Sequence, residues 1–185
     1  MNYGPFAVYI GIWEMPRGFT LLELLITVAV LSIILAFAAP SFSRVSQAVQ
    51  MQRLATELVG FLNQSKSEAV MRNTKLYVHF PMDKNVPVNN GGWSFQLTDS
   101  ESGAGNTILN LSGSSYSELT IQQLYAPPAR ISFDEVRGWP RGGTMQFYPT
   151  ANPSLILEVA LSNPPGRIKI CSRLGGKLYD YPECE

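Results

Sequence analysis

Histidine is almost missing from this 185-residue chain, with His79 the only one. It alternates with Leu76 and Val78 in a strand-like run, and no nucleophile motif accompanies it. No P-loop, GxSxG or HExxH occurs either, so neither enzymatic activity nor a cofactor is expected. Cysteine is scarce: Cys171 and Cys184 are the pair, with no C-x-x-C. That leaves no ligand set for a zinc site. A disulfide is the economical reading, and it requires an oxidising compartment. Net charge is lacking as well, with 14 basic and 14 acidic residues. The balance hides a gradient. From Arg130 to Lys177 there are seven basic residues against three acidic ones, a local charge of +4, before Asp180, Glu183 and Glu185 reverse the sign.

Charge is also missing from one long stretch. Phe19 to Ala39 reads FTLLELLITVAVLSIILAFAA, with Glu23 as its single ionisable side chain. At ~1.5 Å per residue such a helix is about 31 Å long, enough for a hydrocarbon core of about 30 Å. A carboxylate there costs on the order of a few kcal/mol unless it finds a partner, which marks Glu23 as a functional candidate. Ala36-Phe37-Ala38 would suit an ordinary cleaved signal peptide. Against that reading, the run is longer than a usual h-region, contains a charge, and continues as a helical pattern past the alanines.

Gly18-Phe19-Thr20-Leu21-Leu22-Glu23 resembles the class III signal of type IV pilins and pseudopilins. The resemblance implies that a prepilin peptidase cuts between Gly18 and Phe19 and methylates the new N-terminus. Glu23 is then the fifth residue of the mature chain, where this family places a glutamate. Its implied role is to neutralise the α-amino group of a neighbouring subunit, each charge lowering the burial cost of the other. Pro40 falls where many pilins place a helix-kinking proline. Residues 1–18 are thus expected to be a cleaved leader, with Met15 as an alternative start, and Arg17 fits a cytoplasmic N-terminus.

After Pro40 the pattern becomes amphipathic. Val45, Ala48, Val49, Leu54, Ala55, Leu58, Phe61, Leu62, Ser65 and Ala69 follow three- and four-residue steps. One helix is therefore expected from about Phe19 to Met71, apolar all round over 19–40 and striped over 41–73. Seven strand-like runs follow within 74–185: Leu76–Phe80, Trp93–Leu97, Leu119–Leu124, Arg130–Phe133, Thr144–Tyr148, Leu155–Leu161 and Arg167–Cys171. Asn-Gly and Pro-Gly turns separate them. The expected fold class is α+β, a long N-terminal helix packed on an antiparallel β-sheet domain. Asp99 to Ser117, rich in Gly, Ser and Asn, reads as a mobile loop.

Three further stretches resemble the GspH/FimT group of minor pilins and pseudopilins: Glu68–Thr74, Ile131–Asp134 and Asn163–Cys171. Gly166, Arg167 and Lys169 match a Gly-Arg-x-Arg pattern that FimT-like members associate with DNA binding in natural transformation, with Lys in the second basic place. Residues two apart in a strand share a face, so Arg167 and Lys169 would project together, with Ile168 and Ile170 towards the core. Arg173 and Lys177 would extend the patch around the disulfide loop. Lysine holds a phosphate as a point charge and lacks the arginine fork. The resemblance implies a FimT-like minor pilin in the inner membrane, with a periplasmic domain that reaches the surface in the pilus. Its partners would be other pilin subunits, the prepilin peptidase and double-stranded DNA. The alternative is a GspH-like pseudopilin of type II secretion with a purely structural tip role. Trp139, between Arg137 and Arg141, reads as covering a domain edge, with base stacking as the other option.

Overall fold

Apolar residues at helical spacing, then at strand spacing, set the architecture of the computed structural model, which describes residues 18–185, with side chains outside 38–41. The leader ahead of Gly18, the start at Met15 and the side chain of Pro40 lie outside the described residues. Helix α1 spans Leu21–Met71. Thr20 caps its start, the hydroxyl accepting from the Glu23 N–H at 3.2 Å. Asn73 ends it in the left-handed conformation, φ 48°. The Thr74 N–H then reaches the Ala69 carbonyl and the Asn73 N–H reaches Val70, the paired bonds of a Schellman cap.

The chain divides into two units between Phe42 and Ser43. In the larger one, Met51, Leu54, Ala55, Leu58, Phe61, Leu62 and Ala69 of α1 are buried. Ser65 lies on the same stripe, its hydroxyl satisfied by the Phe61 carbonyl at 2.8 Å. The stripe begins later than its sequence suggests: Val45 and Val49 are 62% and 55% exposed and belong to no core.

Eight strands follow: β1 (Leu76–His79), β2 (Ser94–Thr98), β3 (Thr107–Ser112), β4 (Leu119–Gln123), β5 (Arg130–Phe133), β6 (Gly143–Pro149), β7 (Leu157–Leu161) and β8 (Ile168–Ser172). They form two antiparallel sheets, ordered β3-β2-β1-β5 and β4-β6-β7-β8. The stretch expected to be a loop, Asp99–Ser117, contains β3. Its Leu109 and Leu111 pair with Leu97 and Phe95 of β2, which gives this polar segment a hydrophobic anchor.

Both margins of the second sheet are partly occupied. Beside β4, Val88 and Ile121 exchange backbone hydrogen bonds of 2.8 and 2.9 Å. Beside β8, Ser172 donates to the Pro182 carbonyl and accepts from the Cys184 N–H. The Gln123 side chain is buried, donating to the Met82 carbonyl and accepting from the Tyr125 N–H, so a polar residue sits in the core without an orphaned group.

Candidate functional site

Two regions carry the residues singled out by the sequence. At the N-terminal end, Gly18, Phe19 and Thr20 precede α1, and Glu23 lies in its first turn. A carboxylate in a first helical turn is favoured by the exposed N–H groups there. Glu23 is exposed and forms no ion pair among the described residues. From Phe19 to Phe37 every large apolar side chain is at least half exposed, from Leu21 at 77% to Val30 at 50%. So long an apolar surface on one chain needs lipid or other helices around it. No single helix among the described residues is long and apolar enough to cross a membrane; Leu21–Phe37 and Phe42–Met71 meet that criterion only as a pair, by length and composition. The capping role of Thr20 escaped the sequence reading, although Thr-x-x-Glu is the signature of such a start.

The basic candidates occupy different surroundings. Arg167 is exposed and falls one residue before β8, its carbonyl accepting from the Ser162 N–H at 3.0 Å. Lys169 lies on β8, half-buried, with its Nζ 3.8 Å from a Glu185 carboxylate oxygen. Ile170 is buried and Ile168 packs against the core. Arg173 donates through Nε to Glu158 at 2.8 Å. Lys177 pairs with Asp180 at 3.3 Å, both largely exposed. Three of the four cations therefore have carboxylate partners, and Arg167 has none among the described residues.

Trp139 packs rather than projects. The Arg137 guanidinium lies over its ring, 4.8 Å from the centroid. Gly166 backs the pyrrole side: a Cβ there would come within 2.4 Å of Trp139 Cδ1, and φ is +74°, so this position suits glycine alone. Asp134 fastens the turn, its carboxylate accepting from the N–H groups of Val136, Arg137 and Trp139. Desolvation pushes that carboxyl up, but these three donors and the Arg137 charge outweigh it and hold it below the ordinary range. Arg141 is spent on the carbonyls of Ala126 and Pro128.

Cys171 and Cys184 form a disulfide with Cα atoms 4.9 Å apart. Glu158 lies beside it, but with both sulfurs bridged neither is a thiolate ligand. His79 places Nε2 2.9 Å from the Ser100 carbonyl, which requires Nε2 to be the donor. An open recess of about 340 Å³ adjoins it, lined in part by Ser94, Gln96 and Gly103.

Comparison with known proteins agrees with this geometry. The family described as type II transport protein GspH matches residues 54–178. The prokaryotic N-terminal methylation motif matches residues 15–39. No curated protein matches the chain. The crystal structure of the type IV minor pilin FimU from Pseudomonas aeruginosa PAO1 is similar at 20% identity and a TM-score of 0.52, covering 64% of this chain and 86% of FimU. A second crystal form of FimU gives 19% and 0.49, over 64% and 90%. At that identity the likeness is one of fold. With the family match over two thirds of its length and the methylation motif at its head, the chain belongs to the GspH/FimT family of type IV pilin-like proteins.

Proposed function

We propose that this protein is a minor subunit of a type IV filament, non-catalytic, held in the inner membrane by one pass of its N-terminal helix before assembly. The observation that carries this reading is the exposed apolar surface from Phe19 to Phe37, with Glu23 as its single charge directly behind Gly18 and Phe19. Prepilin peptidase cleaves after Gly18, and the new α-amino group of Phe19 enters an apolar filament core as a cation. Glu23 of a neighbouring subunit neutralises it there. The Glu23→Ala protein is expected to be cleaved normally yet to be missing from sheared filaments on immunoblots. Incorporation at the normal level would sink the pairing account.

The finer role is FimT-like: the domain binds extracellular double-stranded DNA, without sequence preference, for uptake in transformation. Arg167, exposed and without a carboxylate beside Gly166, favours it. The pairing of Lys169, Arg173 and Lys177 with acids favours the GspH-like alternative, a structural subunit near the tip of a secretion pseudopilus. Fluorescence anisotropy with a labelled duplex separates them. Binding that weakens in Arg167→Gln/Lys169→Gln supports the DNA reading; no binding by the wild type leaves the pseudopilin.

A further inference from the structure

Lys66, Arg137 and Arg167 come from three distant parts of the chain: the last two turns of α1, the β5–β6 turn and the β7–β8 turn. One indole collects them. Arg137 lies over the Trp139 ring, and Gly166, the residue before Arg167, backs the same ring. The Lys66 Nζ reaches the Gly166 carbonyl at 3.5 Å, while its stem packs against Gly138. None of the three has a carboxylate within ion-pair distance among the described residues, in contrast to Lys169, Arg173 and Lys177. The acids of the same turn are Asp134, committed to three backbone N–H groups, and Glu135.

We propose that Lys66, Arg137 and Arg167, gathered at Trp139, are the phosphate-contacting face for double-stranded DNA. The inference rests on the DNA reading above, keeps Arg167, and puts Lys66 and Arg137 in the place of Lys169, Arg173 and Lys177. Cations gathered in one place outside ion-pair distance of any acid attract a polyanion, whereas cations held in ion pairs add less. With Arg137 over its ring, Trp139 acts as a platform that holds a guanidinium rather than as a surface for a base. The contacts are therefore with the duplex backbone and carry no sequence information.

The test uses the full chain in non-ionic detergent and a labelled duplex across a salt series. Three phosphates at ~0.9 each give an expected log–log slope of about −2.7. In Lys66→Gln/Arg137→Gln the slope should shrink by about 1.8, while Lys169→Gln/Lys177→Gln should leave it unchanged. The charge-preserving Lys66→Arg/Arg137→Lys should keep the wild-type slope, which a mere packing role would not predict. If the wild type binds but the slope drops only in Lys169→Gln/Lys177→Gln, this placement is wrong and the DNA reading survives. If the wild type does not bind even at low salt, both fall.

Discussion

Glu158 sits on β7 with its side chain 5% exposed, accepting from Gln146 at 3.0 Å and from Arg173 at 2.8 Å. The β7–β8 register sets Glu158 opposite Cys171, and the chain then carries Arg173 back over the carboxylate. Nothing in a 15-residue separation announces that pair, which is why the sequence counted Arg173 among free cations. A buried carboxylate stripped of its cation is costly, and the partial exposure of Arg173 tempers the cost. Arg173→Met should destabilise the protein by roughly 1–3 kcal/mol, and adding Glu158→Gln should recover most of that, read by chemical denaturation as a double-mutant cycle. A loss within about 0.5 kcal/mol, the spread of ordinary surface changes, would show the pair to be idle. Glu23 was legible for the opposite reason: a lone charge in an apolar run stands out without any knowledge of its neighbours.

Among the elements, α1 was the most legible, because 3.6-residue periodicity persists over many turns and Asn73 supplies the cap. Strand β3 was not. Its surroundings are dominated by Gly, Ser and Asn, and its pattern of partly buried and exposed residues reflects an edge strand paired on one side only. Composition over a wide window outweighed the short alternation in Thr107–Ser112. The segment after β8 carries the disulfide expected from cysteine count alone. Closing that loop should stabilise the fold by roughly 3 kcal/mol in the chain-entropy view. Reduction is therefore expected to lower the melting temperature by on the order of 10 °C in a scanning calorimeter. An unchanged transition would mean that the backbone bonds between Ser172 and the Pro182–Cys184 segment hold it unaided.

At the scale of the whole molecule, one unit has an apolar helix with no cover of its own and the other has a complete core. The α+β class and the order of helix before strands followed from where hydrophobic periodicity changes from 3.6 to 2. The distribution of usable positive charge did not follow, because it depends on which cations meet acids after folding. The sequence placed the patch on Arg167 and Lys169, with Arg173 and Lys177 extending it around the disulfide loop. Folding instead leaves Lys66 and Arg167 without an ion-pair partner among the described residues, with Arg137 near Asp134 but outside ion-pair distance, and Lys66 was not among the counted residues at all. The margins of the second sheet have a consequence for how copies can join. Strand edges with unpaired N–H and C=O groups are templates on which proteins polymerise. Here the Val88 segment shields one edge and the Pro182–Cys184 segment shields part of the other. Runaway stacking through that sheet is disfavoured, which leaves the exposed apolar surface from Phe19 to Phe37 as the larger sticky face of the described residues.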